Sequence, residues 1–227
     1  MSIPSCEYIS DRPIQVKYNK LDETQYYSNN WFEGNIEDID LHLKKFKGND
    51  NLNFLEIGCY EGRSCVYLVE KYLTGSNCKL LCVDSFNVGS SEELSVDAEC
   101  LRDRFNHNTK HLMDIIDVEA CKLSEELSSI CCNVYDFIHV DYCNTNHTEM
   151  LFELQELCYS LKPGGCCLIE PLFYINSTRT NSRWSIPVSV MNKLITGLDD
   201  KYEHQIKLKT DIHGVPGYKL SVIYNGI

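Results

Sequence analysis

Carboxylates recur at the ends of short apolar runs in this chain, at Glu56, Asp84, Glu119, Asp141 and Glu170. One acid in such a place is an ordinary helix cap. Five, on successive segments, make a constellation that can accept hydrogen bonds from hydroxyls, hold an ammonium or take up a proton. The first acid leads into Asn53–Arg63 (NFLEIGCYEGR), where Gly58 and Gly62 stand four apart before a run, Ser64–Tyr72, with apolar residues at helical spacing. That pattern reads as strand, tight turn and helix. Backbone N–H groups at such a helix start point outward and can hold a carboxylate or phosphate. Asp141 and His147 are the candidates for moving a proton, since an acid ends one strand and a histidine, the side chain titrating nearest neutral pH, opens the next helix beside Asn144 and Asn146. Either His147 is a base or it is a polar helix-start residue at the surface. His139, inside an apolar strand, reads as a core histidine with its hydrogen bonds satisfied.

The elements that must position these groups alternate. Strands are predicted at Leu52–Ile57, Lys79–Val83, Met113–Val118, Tyr135–Val140 and Cys166–Ile169. Helices are predicted at Asn35–Phe46, Ser64–Tyr72, Glu92–His111, Ser124–Ile130, His147–Leu161 and Pro187–Leu198. Nearly continuous apolar strands between helices indicate a parallel sheet covered on both faces. His204–Lys209 and Tyr218–Tyr224 are joined by too short a connection for a crossover helix and so pair antiparallel. In an open sheet of this kind ligands sit beyond the carboxyl ends of the strands, where the five acids fall. Residues 1–34 read as an irregular cap rich in Tyr, Asn and Pro. Its Tyr26, Tyr27, Trp31 and Phe32 suit a packing strap better than a flap over a ligand. A single domain over 1–227, with its core at 35–227, accommodates all of this.

LEIGCYEGRS at 55–64, VDSF at 83–86, DFIHVD at 136–141 and LKPGGCCLIE at 161–170 resemble the class I S-adenosylmethionine-dependent methyltransferases. Within that group they are most similar to small-molecule and sugar O-methyltransferases related to macrocin O-methyltransferase. The resemblance implies a Rossmann-like, doubly wound, mostly parallel seven-stranded sheet with a C-terminal antiparallel strand pair. It also implies S-adenosyl-L-methionine as cofactor and methyl transfer to a hydroxyl of a small-molecule acceptor, such as a sugar or sugar nucleotide. It implies that Glu56, Gly58, Tyr60, Gly62, Ser64, Asp84, Ser85, Glu119, Ala120 and Asp141 bind the cofactor, with Glu56, Gly58 and Gly62 at the methionine portion, Asp84 at the ribose and Glu119 with Ala120 flanking the adenine. The residues support part of this independently, because an acid 28 residues after Glu56 at the end of the second strand suits a ribose diol. Tyr60 replaces the middle glycine of the commonest pattern, its ring either lining the pocket or facing solvent. Relatives in the sugar branch hold a divalent metal with an acid after strand four and two adjacent acids after strand five. Here Asp141 and Glu170 match and Pro171 offers no ligand, so Mg2+ would rest on two carboxylates and waters. Arg179, Arg183 and Trp184 fall in the loop expected to meet substrate.

Composition narrows the alternatives. A net charge of −12 argues against gripping nucleic acid by its phosphates, and Leu43–Lys47 is too short a basic run to change that. No apolar run approaches the ~20 residues of a membrane span. The first eighteen residues are broken by Pro4, Glu7, Asp11, Arg12 and Pro13, so a cytoplasmic protein is expected. The 13 cysteines are scattered through buried segments and read as reduced core thiols, and adjacent Cys131 and Cys132 lack zinc spacing. The aromatic N-terminal segment can pack against a second copy, leaving a homo-oligomer open. Two other functions remain: a binding module of the same fold without turnover, suggested by Pro171 and Tyr60, and a nicotinamide-dependent oxidoreductase, disfavoured by the missing G-x-G-x-x-G.

Overall fold

Short runs rich in β-branched and aromatic residues form the strands, and segments with apolar residues three and four apart form the helices. The computed structural model describes residues 14–16, 25–28, 31–87, 98–130, 134–142, 146–174, 186–210 and 216–226. Its strands in chain order are β1 (Ile14–Val16), β2 (Gln25–Tyr27), β3 (Asn53–Ile57), β4 (Lys79–Val83), β5 (Ile116–Glu119), β6 (Tyr135–Val140), β7 (Leu161–Tyr174), β8 (Ile186–Pro187), β9 (Tyr202–Thr210) and β10 (Pro216–Tyr224). The α-helices are α1 (Ile36–Leu43), α2 (Arg63–Lys71), α3 (Ala98–Thr109), α4 (Leu123–Ile130), α5 (His147–Tyr159) and α6 (Val188–Gly197). Among the described residues no helix is long and apolar enough to cross a membrane.

The chain divides into two compact units, Met1–Asn51 with Cys59–Cys121 and Leu52–Gly58 with Lys122–Ile227. In the first unit β4 and β5 run parallel, with Leu80 opposite Ile116 and Val83 opposite Glu119. β1 and β2 form a small antiparallel pair where an irregular segment was expected. Tyr67 and Lys71 of α2 both donate to Asp40 of α1, at 2.5 and 2.7 Å, which ties the two helices together.

In the second unit the strand order is β3-β6-β7-β10-β9, with β8 beside β7. β3, β6 and β7 are parallel, α5 forms the crossover from β6 to β7, and β10 is antiparallel to both neighbours. The expected architecture holds: parallel strands alternating with helices, then an antiparallel pair. Phe54 packs edge-on against Phe137 with ring centroids 5.4 Å apart, and Phe137, Ile138 and Val140 are fully buried. α5 starts at His147 because the Asn146 side chain accepts from the N–H groups of Thr148 and Glu149, which have no partner within the helix.

One strand is longer than expected. β7 starts at Leu161, and Lys162-Pro163-Gly164-Gly165, expected to be a loop, lies inside it as an irregularity. The register shows why: Leu161 pairs with Tyr135, yet Cys166 already faces Phe137, so four residues of β7 oppose one of β6. Gly164 takes a φ of +79° there, a conformation glycine adopts without strain. The helix expected from residue 92 begins at Ala98 among the described residues, and 88–97 lie outside them.

Candidate active site

In the first unit the glycine turn is held by its own backbone and by one acid. Gly62 caps α2 with a φ of +79°, and its N–H closes the turn on the carbonyl of Cys59 at 2.8 Å. A Cβ at Gly62 would lie 2.8 Å from the Thr109 methyl, so both conformation and space demand glycine. The Tyr60 N–H donates to Asp84 Oδ2 at 2.9 Å, and the Phe86 N–H donates to Oδ1 at 2.7 Å. Two backbone donors therefore fix the plane of the Asp84 carboxylate at the carboxyl end of β4. The Asp84 N–H in turn donates to the Glu119 carbonyl at 3.2 Å, which sets Glu119 and the following Ala120 beside it. Ser85 is exposed and its hydroxyl accepts from the Asn87 N–H, while Ser64, the second residue of α2, is buried.

Tyr60 carries a φ of +47°, left-handed for a residue with a Cβ. Its hydroxyl meets Ser28 Oγ at 3.2 Å, so the ring turns toward the residue after β2, and burial raises its phenol above the ordinary value. The neighbouring Glu61 is the residue that sequence reasoning missed here. It is 2% exposed, pairs with Arg104 of α3 at 2.5 Å and accepts from the Ser28 N–H at 2.6 Å. Asn108 also donates to its carbonyl at 2.8 Å. Glu61 thus fastens the turn to α3 and to the N-terminal strap, consistent with packing as the strap's work. Nothing near Glu61 in sequence announces Arg104, which lies 43 positions on.

In the second unit, the ends of β3 and β6 come into contact at Gly58. The Asp141 N–H donates to the Ile57 carbonyl at 2.8 Å, and a Cβ on Gly58 would fall 2.2 Å from the Asp141 carbonyl oxygen. Only glycine, here with φ +85°, lets the chain leave β3 at that point. Asp141 as a whole residue is exposed. The protein packed beneath it still pushes its carboxyl up to about 6, with Glu170 and Glu56 adding repulsion and His139 and Lys219 opposing the rise. His147 is half-buried at the first position of α5.

Below Asp141 lies a buried chain of four charged groups. Glu56 Oε1 is 3.3 Å from His139 Nδ1, His139 Nε2 is 3.6 Å from Glu170 Oε1, and Lys219 of β10 donates to Glu170 Oε2. Each of the four is 6% exposed or less. Burial alone would lower the imidazole, but the carboxylates of Glu170 and Glu56 override it and raise His139 to about 10. The two carboxylates favour the protonated imidazole, and His139 is core as expected, though its Nε2 has no hydrogen-bond partner among the described residues. Lys219 reaches its partner because β7 and β10 slip: Phe173 pairs with Tyr218 and Ile169 with Leu220, so three residues, Glu170 to Leu172, oppose Lys219 alone. Pro171, which has no N–H for a ladder, falls in that bulge. The sequence signal for Lys219 is a cation lodged among the apolar residues of Tyr218–Tyr224.

Asn144, Cys131, Cys132, Arg179, Arg183 and Trp184 lie outside the described residues. Among the others, the structure brings Tyr60, Gly62, Asp84 and Glu119 together in the first unit and Glu56, Gly58, Asp141 and Glu170 in the second.

Residues 55–170 match the methyltransferase domain family, a stretch of about half the chain, and the chain belongs to that family. Its fold is that of the class I methyltransferases, as three solved structures show. An O-methyltransferase from Bacillus cereus, in complex with SAH, is 15% identical with a TM-score of 0.59, covering 86% of this chain and 82% of that one. The N-methyltransferase NodS from Bradyrhizobium japonicum, in complex with S-adenosyl-l-homocysteine, is 16% identical with a TM-score of 0.59, covering 88% and 90%. A putative rRNA-methylase from Clostridium thermocellum is 11% identical with a TM-score of 0.58, covering 83% and 96%. No curated protein matches the chain.

Proposed function

We propose that the chain is an S-adenosylmethionine-dependent O-methyltransferase acting on a hydroxyl of a small-molecule acceptor, with sugars and sugar nucleotides the first class to try. The observation that carries the reading is the hydrogen bond from the Tyr60 N–H to Asp84. It ties the glycine turn to the acid ending β4, the two motifs assigned to the methionine and ribose portions of one cofactor. The residues fit that group. Gly58 and Gly62 leave the turn without side chains, the start of α2 favours a carboxylate, and Asp84 is held in one plane for a diol.

S-Adenosylmethionine supplies an electrophilic methyl group on a sulfonium. The remaining work belongs to the chain. Asp84 takes the ribose hydroxyls, and Glu119 with Ala120 flanks the adenine. Asp141 accepts the acceptor hydroxyl's proton: a carboxyl raised to about 6 is still mostly ionised at neutral pH and is a stronger base than an ordinary carboxylate. His147 is the other residue able to serve as base. No divalent ion is required in this reading. The Glu170 carboxylate is engaged by Lys219 and faces His139, and Pro171 offers no donor, so the set does not fit a metal site.

The test pairs binding with turnover. S-Adenosylhomocysteine at ~100 times its dissociation constant is expected to add about 2.7 kcal/mol to the folded state, read as a melting shift that Asp84→Ala diminishes. Methyl transfer from labelled cofactor to a panel of hydroxyl acceptors should survive EDTA. No shift with S-adenosylhomocysteine defeats the reading, a shift without turnover on any acceptor leaves a binding module, and an N-methylated product overturns the hydroxyl assignment alone.

A further inference from the structure

Three thiols from three separate elements converge inside the first unit. Cys59 follows Gly58 in the turn, Cys65 is the third residue of α2, and Cys82 lies on β4. Their sulfurs all lie within 4.8 Å of one another, and those of Cys65 and Cys82 are 3.4 Å apart. All three are buried, at 2%, 0% and 0% exposure. A chain with 13 cysteines will place some side by side, as Cys158 and Cys167 are in the second unit. The trio differs because the sulfurs of three elements, the turn, α2 and β4, meet in one buried group.

The spacing suits a metal. An ion bonded to three thiolates at about 2.3 Å in a plane holds its sulfurs about 4 Å apart, within the range seen here. Cys65 sits in the first turn of α2, where the helix dipole favours the negative charge of a thiolate. The donor set also selects the ion. Zinc in structural sites takes four ligands, and among the described residues this group has neither imidazole nor carboxylate to supply a fourth. Soft sulfur donors, low coordination and exclusion of water favour Cu(I).

We propose that Cys59, Cys65 and Cys82 form a three-sulfur site for a soft monovalent cation, Cu(I). Each thiol that ligates releases its proton to water, and copper enters and stays as Cu(I), so no electron is transferred. The site does not depend on the methyl-transfer reading.

The experiment is an anaerobic titration of the reduced full-length protein with Cu(I) buffered by a chromophoric chelator. One equivalent is expected to be withheld from the chelator. Cys65→Ala and Cys82→Ala should each weaken retention on the order of 100-fold or more, and Cys158→Ala should leave it unchanged. X-ray absorption on the wild-type protein, which needs no variant to fold, should show three sulfur neighbours at about 2.3 Å. Retention that survives Cys82→Ala, a shell with two sulfurs or with nitrogen, or failure to compete with the chelator would each overturn the proposal.

Discussion

Two carboxylates at strand ends are held in opposite ways. Asp84, in the first unit, is half-buried and fixed by backbone N–H groups of Tyr60 and Phe86. Glu170, in the second, is buried and faces the charged side chains of Lys219 and His139. Backbone donors come with the fold and carry no net charge of their own. The set around Glu170 depends on its four side chains together, since an isolated charge out of water is costly.

The contrast can be broken most forcibly at Lys219. Lys219→Met strands a buried carboxylate and is expected to cost about 3–5 kcal/mol, read from urea unfolding. Adding Glu170→Leu to Lys219→Met should recover most of that loss, because an apolar pair of similar volume replaces an ion pair at little cost. If the double variant is no more stable than Lys219→Met, the two side chains do not act as a pair. A smaller, graded effect belongs to His139. Its folded-state value of about 10 lies above the ordinary imidazole value of about 6.5, so its contribution is complete below that lower value and is lost as pH rises through about 10. The destabilisation by His139→Gln should therefore be largest at about pH 6 and fade toward pH 10, and a flat difference would mean that the ring is neutral in the fold. The least effect on stability is expected at Asp84. Asp84→Asn sets an NH2 group against one of the two backbone donors and should cost about 1–2 kcal/mol, while S-adenosylhomocysteine binding falls sharply in calorimetry.

The first half of this contrast was readable from the chain. Gly58, Gly62 and Asp84 are local signals, because a turn needs glycine and a strand ends where its apolar run ends. The parallel sheet and its antiparallel close were also read from alternation and from the length of one connection. Other features depend on partners far apart in sequence. Lys219 meets Glu170 only because of a bulge, and Glu61 meets Arg104 only once α3 has folded against the turn. The glycines of Lys162–Gly165 looked like a loop because the same residues serve a loop or a bulge, and only the register with β6 separates the two. β1 and β2 were missed since three-residue strands carry too little pattern to be seen.

The strand order of the second unit ends at β9, whose residues from Glu203 to Leu208 are exposed on both faces, Ile206 and Leu208 among them. An open edge of this kind invites other copies to add on, and stacked in register they would grow into ribbons. Lys207 and Lys209 lie on this strand, and lysine on an exposed edge discourages such addition. Lysine acetylation is therefore expected to hasten ribbon growth in a concentrated preparation, with thioflavin fluorescence as the readout.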